Sequence, residues 1–283
     1  MIKTPTIGIT TQIIRRAKWY KYINELGFNT VEINRQNSKL HFNLFFLEKV
    51  KRYMKGFDLS IHSGTAGIFQ PYESFTKANL SILTAEIDVC SFLGARQFVF
   101  HLNEGYISPD NKRRLQEVLS YAADLGVDML YESNSTLVAD YAYDILGSFP
   151  ELGYVLDLGH LNNGYGSGKL GCAIDDFVSQ VRNRVVYVHA SNNSGRRDEH
   201  NGLENGTLDW RQVLDMLDIS KIAKIIIEVR HIHMVKESRK EIVRYLEGDL
   251  PARKHCALGL ENVSPEAKFS RVATPVWRLG DVC

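Results

Sequence analysis

Long apolar runs are missing from this 283-residue chain. No stretch approaches the ~18 consecutive apolar residues of a membrane-spanning helix. Charge of one sign is missing too. Lys and Arg number 34 against 33 Asp and Glu, a formal net charge of +1, so no strong overall field draws in nucleic acid or an anionic membrane, although a local basic patch stays compatible with that balance. Cysteine is scarce. Cys90, Cys172, Cys256 and Cys283 include no C-x-x-C pair, and the apolar run in residues 1–10 is too short for a secretory h-region. The expectation is a cytoplasmic protein with reduced thiols. There is no low-complexity segment and no repeat beyond an alternation of strand-like and helix-like segments.

That alternation carries the fold. Short β-rich runs occur at Thr6–Thr10, residues 29–34, Asp58–His62, Gln97–His101, residues 127–132, Gly153–Asp157, and residues 184–189 and 224–228. Most are nearly continuous apolar runs, the pattern of parallel strands covered on both faces. Helical periodicity fills the gaps at residues 15–26, 44–54, 74–93, 111–125, 138–146, 174–181, 210–217 and 234–246. In the first of these, Trp19, Tyr22, Ile23 and Leu26 share a face. Eight β–α units predict one α/β domain, a (β/α)8 TIM barrel, over residues 1–248. An open doubly wound sheet usually carries a Gly-rich loop after its first strand. Here Thr10-Thr11-Gln12 stands in that place. Residues 249–283 hold Pro251, Pro265 and Pro275 without periodicity and read as an irregular C-terminal extension.

The chemically capable residues gather at one end of the predicted strands. His62, His101 and His189 end strands three, four and seven, and His160 lies three residues past the sixth. Glu132, Asp157 and Glu228 end the fifth, sixth and eighth. Asp198 and His200 lie in a long loop after the seventh. In α/β barrels this C-terminal face builds the active site. Singly, a strand-end histidine is an ordinary hydrogen-bonded residue, and a strand-end carboxylate caps the next helix. Jointly that reading fails, because all of the last six strands end in His, Asp or Glu. So many carboxylates near one axis are unfavourable unless cations neutralise them. Imidazole plus carboxylate is a ligand set for zinc, manganese and similar ions. His41, His231, His233 and His255 read as surface or rim residues.

Glu132 in LYESNS, Asp157 and His160 in LDLGH, His189 in YVHASNN, Asp198 and His200 in DEHNGLENG, and Glu228 in IIIEVR carry a resemblance. Over residues 7–246 the chain resembles the xylose-isomerase-like barrel superfamily, which includes endonuclease IV and many sugar isomerases and epimerases. The endonuclease IV resemblance implies up to three zinc ions. One would be held by His62, His101 and Glu132. Glu132 would bridge to a second, held also by Asp157, His189 and Glu228, and His160, Asp198 and His200 would hold the third. The isomerase resemblance implies one metal on Glu132, Asp157, His189 and Glu228, with Glu132 and Glu228 also moving protons as the catalytic pair. The segments His62-Ser-Gly-Thr and His101-Leu-Asn-Glu depart from the endonuclease pattern, and the stretch from His189 to Trp210 resembles sugar-phosphate isomerase members. On ligand count the expectation leans to phosphodiester hydrolysis at a multinuclear zinc site, with abasic-site DNA as substrate. The alternative is a single-metal isomerase or epimerase acting on a small sugar or sugar phosphate. Arg35, Lys39, Arg196 and Arg197 are the candidate rim bases for DNA, and Arg196 or Arg197 the candidate phosphate ligand.

Overall fold

The computed structural model describes residues 4–14, 18–35, 42–65, 67–103 and 107–248. The predicted extension 249–283, with Asp249, His255, Cys256 and Cys283, lies outside the described residues, as do Lys39 and His41. Eight parallel strands pair in sequence order and close, β8 on β1, into a barrel. They are β1 (Thr6–Thr10), β2 (Thr30–Asn34), β3 (Asp58–His62), β4 (Gln97–His101), β5 (Asp128–Glu132), β6 (Gly153–Asp157), β7 (Val185–Ala190) and β8 (Lys224–Ile227). Each lies within a residue or two of its predicted place. Glu228 falls one residue past β8.

The connecting helices are α1 (Leu44–Tyr53), α2 (Glu73–Leu93), α3 (Pro109–Asp124), α4 (Ala139–Ser148), α5 (Leu158–Gly166), α6 (Ile174–Val181), α7 (Trp210–Asp215) and α8 (Ile232–Leu246). Two differ from expectation. The helix expected over residues 15–26 is, where described, two short 3-10 turns, Trp19–Lys21 and Ile23–Leu26, closed by Gly27 at φ 70. Neighbouring Trp19 and Tyr20 are both buried, and Tyr20 packs on Phe46 and Tyr53. A regular helix would turn one of two adjacent side chains away, so packing overrides the periodicity. Helix α5 was not foreseen. Its Gly- and Asn-rich sequence has poor intrinsic propensity, but the carboxylate of Asp157 caps it by accepting from the backbone N–H of His160 at 2.7 Å.

Strand alternation places the site. Val99, Leu130, Val155, Tyr187 and Ile226 form a small cluster of their own, apart from the large core between sheet and helices. Each stands two residues before His101, Glu132, Asp157, His189 or Glu228 on its strand. Side chains repeat every second residue along a strand, so an apolar layer filling the barrel interior requires the next layer up, at the strands' C-terminal ends, to point inward as well.

Candidate metal centre

Glu132 sits at the middle of this upper layer and is 1% exposed. Its Oε2 lies 3.1 Å from His62 Nε2 and 3.5 Å from His101 Nε2. Its Oε1 lies 3.2 Å from His189 Nδ1 and 3.3 Å from His160 Nδ1. His189 Nδ1 is also 3.1 Å from Glu228 Oε2 and 3.6 Å from Asp157 Oδ2. One ligand atom from each of Glu132, Asp157, His189 and Glu228 falls within 4.8 Å of all the others, and the same holds for His62, Glu132 and His189. Further out, Asp198 Oδ2 lies 3.5 Å from His160 Nε2 and 3.2 Å from His200 Nε2. All nine sequence-predicted residues therefore meet in one continuous constellation. The side chains of Asp198 and His200, 26% and 21% exposed, form its outer edge.

The histidine rings are oriented from behind. The Nδ1–H of His62 donates to the carbonyl of Ser63, that of His101 to Glu132, that of His160 to Ser133 and that of His200 to Glu228. Because a carbonyl only accepts, these four rings carry their proton on Nδ1, and Nε2 is left facing a carboxylate. His189 is reversed: its Nε2–H donates to Glu32 Oε2 at 3.0 Å, and Nδ1 faces the cavity. A ring nitrogen aimed at a carboxylate oxygen needs a proton or a metal ion between the two. A donated second nitrogen is the usual support of a metal-ligating histidine. His189 Nδ1 and Asp157 Oδ2 are buried without a hydrogen-bond partner. Orphaned buried atoms of this kind, in a nitrogen-and-carboxylate set, fit a divalent cation. Asp157 meets both of its sequence readings at once, since Oδ1 caps α5 and Oδ2 faces the cavity.

The electrostatics separate the carboxylates. Burial would raise Glu132, but His189, His101 and His62 hold it well below the usual carboxylate range. Glu228 moves the other way. Burial, with Glu132 and Asp157 near, raises it despite His189 and His200. Burial would lower His62 and His200, yet the bond and charge of Glu132 bring His62 up to about 9, and those of Asp198 with the charge of Glu228 bring His200 to about 10. For His101, burial together with the charges of His62, His160 and His189 outweighs Glu132 and takes it down to about 4.

Sequence reasoning missed Glu32. It is fully buried on β2 and accepts from the Tyr187 hydroxyl at 2.9 Å as well as from His189. Its signal was a charged residue in the middle of a strand, TVEIN, whose every residue is buried. Arg35 corrects an expectation. It is buried rather than on a rim, and its Nε donates to Glu86 Oε1 at 3.1 Å. Arg196 and Arg197 are exposed. His231 and His233 stack on each other at the start of α8. His231 lines a cavity of about 500 Å³ with Ile13, Ile14, Tyr22 and Arg230.

Comparison with known proteins agrees with this architecture. The family described as Xylose isomerase-like TIM barrel matches residues 20–247. Uncharacterized protein MJ1311 of Methanocaldococcus jannaschii is 26% identical over 170 residues, 53% of this chain and 54% of that protein, so the chain spans about half the length of this curated relative. Among solved structures, a D-tagatose 3-epimerase-like protein superposes with a TM-score of 0.73 at 20% identity, covering 86% of this chain and 97% of the other. The TTHB071 protein of Thermus thermophilus, soaked with ZnCl2, gives 0.68 at 19% identity over 87% and 100%. An L-ribulose 3-epimerase gives 0.67 at 16% over 86% and 95%. At these identities the structures speak for the fold. The chain belongs to the xylose isomerase-like TIM-barrel family.

Proposed function

We propose that this member of the xylose isomerase-like family is a divalent-metal-dependent sugar isomerase or epimerase. Glu132, Asp157, His189 and Glu228 are its metal ligands in this reading, and Glu132 and Glu228 its proton-transfer pair. The observation that carries it is the compact tetrad of Glu132, Asp157, His189 and Glu228, with His189 Nδ1 and Asp157 Oδ2 left without partners. The sugar epimerases of the same fold support this substrate class.

A bound divalent ion supplies Lewis-acid polarisation of a sugar carbonyl and its neighbouring hydroxyl. The remaining chemistry falls to the chain. Glu132, surrounded by imidazoles, stays ionised and accepts a proton from carbon. Glu228, raised by burial, is the more basic carboxylate and moves the proton on the opposite face. Two carboxylates pushed apart in this way divide base from acid. Glu32 fixes the His189 ring through Nε2. The apolar layer beneath closes the barrel to water from below.

A second reading, phosphodiester hydrolysis, is favoured by one observation. His62 and His101 flank Glu132 Oε2, and His160 and His200 flank Asp198 Oδ2, so each side of the tetrad offers further ligand groups. The test is zinc or manganese content after reconstitution, with activity on a panel of ketoses and their phosphates and on abasic-site DNA. The isomerase reading expects sugar interconversion with one ion per chain, kept in Asp198→Ala. Near three ions with DNA cleavage and no sugar turnover overturns it.

A further inference from the structure

Outside the tetrad, the loop between β7 and α7 opens a cavity of about 490 Å³ lined by Ser194, Arg196, Arg197, Glu199 and Thr207. Its frame is held on every side. Asn162 of α5 donates to the carbonyl of Asn193 at 2.8 Å and to Thr207 Oγ1 at 3.0 Å. Asn192 donates to the carbonyls of Leu203 and Leu208, and its backbone pairs with Asn201. Gly195, at φ 74, lies so close to the end of α5 that a Cβ on Gly166 would sit 2.1 Å from its carbonyl oxygen. The loop therefore presents the two residues that follow Gly195 from a braced backbone.

Those two residues are arginines. Among the described residues neither guanidinium has a hydrogen-bond or ion-pair partner. The single carboxylate in the cavity wall is already engaged, because Glu199 Oε2 accepts from the Ser194 amide at 2.8 Å and from Asn201 Nδ2 at 3.3 Å. Two cations against one anion leave the cavity positive, and the Ser194 hydroxyl adds a neutral donor. The position also matters. Asp198 follows Arg197 directly and touches His160, which in turn touches Glu132. The loop that carries the arginines thus also carries Asp198 at the outer edge of the metal centre.

We propose that this cavity is an oxyanion subsite in which Arg196 and Arg197 take the phosphate of a sugar-phosphate substrate. The inference rests on the isomerase reading above and narrows its substrate class. Paired guanidinium forks match the oxygens of a phosphate monoester, each able to give two parallel charge-assisted hydrogen bonds.

The experiment compares the full-length wild type with Arg196→Gln/Arg197→Gln, and with Arg113→Gln as a control for loss of a surface charge. Equal circular dichroism and thermal unfolding establish that the folds match. Binding of inorganic phosphate is titrated, and kcat/KM is measured on ketose phosphates and the corresponding free ketoses. Expected are saturable phosphate binding by the wild type and by Arg113→Gln, at least about tenfold weaker binding in the double variant, and a fall of at least that size in its preference for phosphorylated over free ketoses, as loss of charged hydrogen bonds dictates. Absence of saturable phosphate binding in the wild type, or equal affinity in the double variant, overturns the subsite. Arginine-dependent phosphate binding with no turnover of any ketose or ketose phosphate overturns the sugar-phosphate assignment and the isomerase reading together, while upholding the oxyanion site.

Discussion

Nε2 of His189 lies 3.0 Å from Oε2 of Glu32, which turns Nδ1 of the same ring toward Glu132 and Glu228 at 3.2 and 3.1 Å. From behind the ring, Glu32 decides which nitrogen of the central imidazole is available. Supports of this kind typically contribute about 10–100-fold to metal affinity. Glu32→Ala is therefore expected to weaken metal binding by about that factor with the barrel still folded. Metal titration of the two proteins checks it, and unchanged affinity would reduce Glu32 to a structural residue.

Glu132 is shared between the His62–His101 side and the tetrad. Glu132→Ala is expected to remove metal binding and to lower turnover by at least the ~10²–10⁴-fold of a lost general base. Both readings of the function require this result. Full activity in the variant would remove their common core.

In the metal-free protein, stability should peak near neutral pH. His62 and His200 are raised above their ordinary 6.5, so the stability they contribute is fully present below that pH. It is lost as pH rises through about 9 and about 10. His101 is depressed, so its contribution is present above 6.5 and is lost as pH falls through about 4. Denaturant midpoints between about pH 4 and about pH 10 should fall on both sides. Metal affinity should climb over the alkaline part of the range as the imidazoles shed protons. A midpoint flat across the range would contradict the arrangement.

Glu86 is buried on α2 and accepts from Arg35 Nε, the Ser63 hydroxyl and the Gly64 amide. Removing it strands a buried guanidinium and releases the Ser63–Gly64 segment that follows His62. Glu86→Ala is expected to lose about 3–5 kcal/mol of stability, the cost of an uncompensated buried charge. Urea unfolding measures it. A loss under about 1 kcal/mol, the range of ordinary substitutions, would show that Arg35 finds another partner.

Eight apolar runs and the spacing of His62, His101, Glu132, Asp157, His189 and Glu228 were enough to read a closed barrel and to gather these residues at one end of it. Strand alternation is a local property: once β5 reads as a buried strand, Glu132 and Leu130 must share a face. The same local rule could have flagged Glu32, but a strand pattern does not say which inward charge reaches another. Only closure of the barrel sets Glu32 of β2 against Tyr187 and His189 of β7, more than 150 residues away. Closure and packing likewise chose the tautomers of His101, His160 and His200, through the carbonyls of Glu132, Ser133 and Glu228. They buried Arg35 against Glu86 rather than leaving it on a rim, broke the expected helix at Trp19 and Tyr20, and raised Glu228 while lowering Glu132. Each of these outcomes depends on which groups meet across the barrel and how far water is excluded, and neither is encoded in the order of residues along a single strand.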